Sequence, residues 1–132
     1  MKFYKNILLF IYLYGLLCFT TYLSMYAYSS EISSSCLKCS YERDILLSSF
    51  YVSFLFIPLI IFHKKINKWY HRLVIVIVFI LLVLLNNYKI FADRVSSWSS
   101  YSFLDELLSI WSISYPYLTI GSLLVFFFNE II

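Results

Sequence analysis

NILLFIYLYGLLCFTTYLSMYAY, residues Asn6–Tyr28, runs for 23 residues without a charged side chain. A bilayer core about 30 Å thick needs about 20 residues of helix, each rising about 1.5 Å. The stretch is long enough to cross. It also exceeds the apolar region of about 7–15 residues found in cleaved leaders, so it is read as a retained helix. Three further apolar runs follow at Ile45–Phe62, Leu73–Tyr88 and Leu107–Phe128. Backbone polar groups have no water to bond in lipid, which leaves helix as the expected state of all four. With 62% hydrophobic residues and 13% charged ones, too little polar surface exists for a soluble monomer. The expected fold is an all-α integral membrane four-helix bundle, a single domain over residues 1–132 embedded in the lipid bilayer.

Charge placement sets the expected orientation. Lys2, Lys5, Lys64, Lys65, Lys68 and Arg72 fall at the amino terminus and between the second and third runs. The other two connections hold Lys38, Arg43, Lys89 and Arg94 together with Glu31, Glu42, Asp44, Asp93, Asp105 and Glu106. Basic residues collect on the cytoplasmic side, so both termini are expected there and the first connection outside. The net charge of +3 then reflects topology and not a nucleic-acid footprint.

That first, outward connection carries CLKCSYER, Cys36–Arg43. Two cysteines at i and i+3 can close a disulfide if their Cα atoms approach within about 7 Å. Cys39 lies nearest the start of the second helix, whose free N–H groups favour a thiolate. Four residues on, Arg43 is placed on the same helical face. Its permanent cation could hold a thiolate and donate to a quinone carbonyl as charge develops there. Other readings of the pair stand beside this one. A zinc site needs about four ligands, but Cys18 is deep in the first run, and His63 and His71 are on the far side of the membrane. A purely structural disulfide across so small a loop would stabilise little.

CLKCSYER resembles the Cys-x-x-Cys-x-Tyr-Glu-Arg signature of the DsbB-type disulfide-bond formation proteins. The order of elements is similar too, with a basic connection after the second helix and Pro116 near the start of the last. The resemblance implies a bacterial inner-membrane four-helix bundle. It would take electrons from a periplasmic thioredoxin-fold dithiol partner and pass them to quinone, ubiquinone or menaquinone. It assigns Cys36 and Cys39 as the quinone-linked dithiol and Arg43 as the quinone contact, with no metal. Two departures are visible: Lys89–Glu106 lacks the family's second cysteine pair, and Asn86, Asn87 and Tyr88 stand where a histidine is expected. The missing pair leaves three options: direct attack by the partner on Cys36–Cys39, a pair supplied by another protein, or a degenerate copy. A non-enzymatic bundle, either an immunity-type protein or an accessory subunit, fits the same four helices.

Other residues invite plainer expectations. Ser40 is placed to cap the second helix, and Pro58 to kink it. The last helix is expected to begin near Leu107, bend, or restart after Pro116. Cys18 reads as a small buried apolar residue. Asn86–Asn87 reads as a helix end facing interfacial water, and Lys89–Glu106 as a polar connection along the surface. Asp105–Glu106 reads as a charge pair at a helix start. His63 and His71 are expected among lipid headgroups, and Trp69, Trp98 and Trp111 in the interfacial belt.

Overall fold

Each apolar run becomes one helical crossing, and the second, third and fourth crossings are longer than their runs. A computed structural model describes residues 2–62 and 68–131. The helices are α1 (Lys2–Ser24), α2 (Tyr41–Ser53), α3 (Ile57–Phe62), α4 (Lys68–Arg94) and α5 (Phe103–Ile131). Short 3-10 turns cover Tyr26–Tyr28, Phe54–Phe56 and Ser96–Trp98. By length and composition, Phe3–Ser24, Tyr41–Phe62, Lys68–Trp98 and Phe103–Phe128 can each cross a membrane. Large apolar side chains are exposed on every crossing, among them Ile11, Leu46, Ile77, Leu108 and Phe127. Outer faces as apolar as the interior suit lipid and not water. The chain is a multi-pass membrane protein.

Contacts between helices fix an up-down-up-down bundle. Tyr14 and Tyr22 of α1 meet Phe50 and Tyr41 of α2, so the two run in opposite directions. Ser49 meets Asn86, and Asp44 meets Arg94, which turns α4 back against α2. Asn87 meets Ser114 while Gly121 approaches Phe79, which reverses α5 against α4. Connections 25–40 and 95–102 therefore share one end of the bundle. The start of α1 and the end of α5 lie at the other.

Two prolines behave differently. Pro58 has no N–H to offer the carbonyl four residues back, that of Phe54. The second crossing is interrupted just before it by the 3-10 turn Phe54–Phe56. Pro116 lies within α5, which is assigned as one helix from Phe103 with no restart. The supposed surface connection Lys89–Glu106 shrinks to 95–102, because α4 carries on to Arg94. Likewise α4 begins at Lys68, so His71 is a helical residue, and it is buried within the bundle. His63 lies outside the described residues.

Packing in lipid gains little from burying apolar surface, so fit and interhelical hydrogen bonds decide it. An apolar layer around Leu13, Phe56 and Phe79 fills one half of the interior, and one around Met25, Ile45 and Phe91 fills the other. Between them lies a polar layer. Asn86 Nδ2 donates to Thr21 Oγ1 at 3.0 Å and Ser49 Oγ at 2.9 Å, and its Oδ1 accepts from Ser48. Asn87 Nδ2 donates to Ser114 Oγ at 2.7 Å. Both asparagines are fully buried, which corrects the expectation of a helix end in interfacial water. The physical reason is length: α4 continues eight residues beyond Asn86, about 12 Å, before it ends at Arg94.

Close approach of α1, α4 and α5 depends on Gly121. A Cβ there would stand 3.0 Å from both Phe79 Cε1 and Thr20 Oγ1, and Phe79 is fully buried with little room to yield. Gly121→Leu should therefore lower unfolding stability of the purified protein by about 1–3 kcal/mol through overpacking. At Gly15 nothing lies within 4 Å, and Gly15→Ala should leave stability equal or raised. Equal tolerance at both glycines in a denaturant titration would refute this packing.

Candidate functional site

Cys36 and Cys39 lie in connection 25–40, just ahead of α2, and are bonded as a disulfide with Cα atoms 5.4 Å apart. The turn between them is closed by Cys39 N–H donating to Cys36 O at 3.2 Å. Ser40 is the N-cap of α2, its Oγ accepting from Arg43 N–H at 3.3 Å, as the serine's position suggested. Glu42 and Asp44 fall in the first helical turn, where the helix dipole favours acids.

Asp93, near the end of α4, holds the connection in place. Its carboxylate accepts from Ser33 Oγ, from Ser34 Oγ at 2.9 Å and from Ser35 N–H at 3.0 Å, while its carbonyl accepts from Ser34 N–H at 3.0 Å. Ser33 in turn accepts from Cys36 N–H at 3.2 Å. Trp98 adds a further tie, donating its indole N–H to Ile32 O at 2.8 Å, which gives this belt residue a second role. The serine-rich segment, read from sequence only as a short polar stretch, is thus the clasp that sets the disulfide on the bundle end.

Beside the disulfide runs a cleft of about 470 Å³, walled by Tyr22, Tyr26, Ile32, Leu37 and Tyr41, with Cys39 and Arg94 on its lining. Arg94 is 2% exposed. Its Nη2 pairs with Asp44 Oδ2 at 2.6 Å, its Nη1 donates to Glu31 O, and its guanidinium lies 5.2 Å from the Tyr41 ring centroid. Tyr41 is steadied in turn by donating its hydroxyl to Tyr22 O at 2.8 Å. Arg94 Nε is buried without a hydrogen-bond partner among the described residues.

The structure brings Cys36 and Cys39 together, and Arg43 is not among the residues lining the cleft that Cys39 shares. Sharing a helical face requires both residues to be helical, but Cys39 precedes the cap and lies outside α2. Arg43 is exposed, and the lining of the cleft includes Arg94 instead. Sequence reasoning treated Asp44 and Arg94 as connection charges. The signal that could have found them is placement: each belongs to a membrane-length crossing, where a charge needs a partner. Cys18 is a free, half-buried thiol in α1, away from the disulfide. Among the described residues no group of three or more His, Cys, Asp and Glu is gathered closely enough to hold a metal. Asp105 and Glu106 occupy the first turn of α5, with Ser102 Oγ bonded to the Asp105 carboxylate at 2.6 Å, in keeping with a helix start.

Comparison with protein-family models, curated proteins and solved structures gives no match for this chain.

Proposed function

We propose that this chain is a membrane thiol–disulfide oxidoreductase that passes electrons from a thioredoxin-fold dithiol partner to quinone and so supports disulfide-bond formation. The observation that carries the reading is a disulfide at the bundle end, Cys36–Cys39, whose second sulfur residue shares a cleft with a buried cation. The resemblance of CLKCSYER to the DsbB-type signature supports the same reading, and it suggests a bacterial inner membrane. Lys5, Lys68 and Arg72 at the end opposite the disulfide favour that end as cytoplasmic and the disulfide as periplasmic.

The cleft suits a quinone ring. Aromatic and apolar walls from Tyr22, Tyr26, Tyr41, Ile32 and Leu37 face polar ones from Ser29, Ser30, Glu31, Ser40 and Glu42, and Arg94 adds a cation to the lining. A quinone supplies a two-electron, two-proton acceptor. On the protein side the partner's thiolate attacks the Cys36–Cys39 bond, forms a mixed disulfide, and is displaced when the partner's second thiol closes its own disulfide. This leaves Cys36 and Cys39 as free thiols. Leu37 and Lys38, both exposed between the two sulfurs, allow a partner to approach directly. The chain has one further cysteine, Cys18 in α1, so the partner exchanges with Cys36–Cys39 itself or through a pair on another protein.

The test is the redox state of the pair in cells, read by thiol alkylation with and without quinone synthesis. Cys36 and Cys39 should be oxidised when quinone is made and accumulate as thiols when it is absent. A disulfide that stays closed in both conditions would point instead to a structural crosslink in a non-enzymatic bundle.

A further inference from the structure

We infer that Arg94, and not Arg43, is the cation that serves the redox couple, stabilising negative charge on Cys39 and on the acceptor oxygen within the cleft. The inference rests on the reading of Cys36–Cys39 as a redox pair that reduces quinone. It joins residues far apart in sequence that meet at one end of the bundle, since Arg94 closes α4 while the motif opens α2.

Position and exposure separate the two arginines. Arg43 is exposed, so water and salt screen its charge. Arg94 is buried on the cleft lining, where the lower effective dielectric makes the same charge about four times stronger at equal distance. Its orientation is held by Glu31 O, by Asp44 and by the face of Tyr41. Such a cation needs no rearrangement when charge develops nearby.

Asp44, in contact with the guanidinium, offsets part of this effect. Its carboxylate lines a separate cleft together with Ser35, Ser48, Lys89 and Asp93. Arg94 thus lines the cleft that Cys39 shares, while Asp44 lines the neighbouring one. The other titratable groups on the cleft are Glu31, Glu42, Tyr22, Tyr26 and Tyr41. Both glutamates are exposed, which leaves Arg94 as the cation among the lining residues and the one charge there that is shielded from solvent.

In the step served, the Cys36 and Cys39 thiols release two protons and two electrons as the S–S bond forms, and the quinone takes up both pairs and leaves as quinol. Anionic sulfur at Cys39 is the nucleophilic form. A fixed cation beside it raises the thiolate fraction at neutral pH.

The test uses the full chain in nanodiscs, reduced and then followed in two ways. One readout is the pH dependence of iodoacetamide alkylation at Cys39, in a Cys18→Ala, Cys36→Ser background. The other is the rate of dithiol oxidation by decylubiquinone in the Cys18→Ala protein. Removing Arg94 alone would strand Asp44, so the main variant is Arg94→Gln with Asp44→Asn, checked for folding by its melting curve. It should lower the thiolate fraction at pH 7 about tenfold, the effect of one pH unit, and slow quinone reduction at least tenfold. Arg94→Lys should restore part of the thiolate fraction, and Arg43→Gln should change either readout less than twofold. Loss in Arg43→Gln, or unchanged values in the folded Arg94 variants, overturns the inference and leaves the enzyme reading intact. Loss of thiolate in the Arg94 variant with no quinone reduction by the unmutated site would keep the electrostatic assignment and remove the quinone reading.

Discussion

Replacing Asp44 with leucine should lower the unfolding free energy by about 3 kcal/mol, the larger effect expected from any single change on the bundle. Arg94 is 2% exposed and its carboxylate partner 16%. A guanidinium does not shed its proton, so losing the carboxylate strands a full charge in the bundle interior. Breaking one side of a buried pair costs about 3–5 kcal/mol, and the partial exposure of Asp44 places the expectation at the lower end. By comparison, single hydrogen bonds within the polar layer, such as Asn87 to Ser114, are each worth about 0.6 kcal/mol in a membrane interior. The check is an unfolding titration in mixed micelles with two controls. Glu42→Ala, two residues before Asp44 and exposed, should change stability by less than about 0.5 kcal/mol. The double variant Asp44→Leu with Arg94→Met should recover most of the loss, because a well-packed apolar pair can replace a buried ion pair. If Asp44→Leu is no worse than Glu42→Ala, the ion pair is not a structural element of the fold.

That pair also marks where reading the sequence stops being enough. Four crossings were legible because bilayer thickness sets a minimum run length, and of the four runs only Leu73–Tyr88, at 16 residues, needed help from its flanks. Their ends were not, because tyrosine, asparagine and lysine suit a helix end in the interface as well as a connection. The consequence was largest at Asn86 and Asn87. Two adjacent amides close an apolar run, yet here they bond to Thr21, Ser49 and Ser114 across the interior. Only the antiparallel register reveals those partners. Cys36 and Cys39 were found because their relation is local, three residues apart in one turn. Arg43 was favoured by the same local logic, a spacing of four, although Cys39 lies outside the helix. The cation on the cleft comes from residue 94, 55 positions from Cys39, a separation that no spacing rule reaches.

The second large effect is expected at Asp93, and it tests whether the serine clasp positions the disulfide. Asp93→Ala removes three acceptor contacts, to Ser33 Oγ, Ser34 Oγ and Ser35 N–H, and leaves only the backbone bond from Ser34 N–H to the residue 93 carbonyl. Hydrogen bonds to a charged group are worth about 1.5–3 kcal/mol each when well formed. Ser34 and Ser35 are exposed, so water replaces part of what is lost. Local opening of residues 33–39 should become about a hundredfold more frequent, while the melting temperature of the bundle shifts little, since α4 and α5 keep their packing. Hydrogen exchange measured on the amides of Ser35, Cys36 and Cys39 reads this directly. Asp93→Asn, which keeps one carbonyl acceptor, should fall between the two. Exchange within about threefold of the unmutated protein would mean that the connection is held without the Asp93 carboxylate, by the disulfide turn, the backbone bond from Ser34 and the ties from Arg94 and Trp98. A hundredfold gain would mean that α4 supplies the residue that places the two sulfurs. A slowed thiol exchange in Asp93→Ala with Arg94 unchanged would then separate the effect of position from the effect of charge.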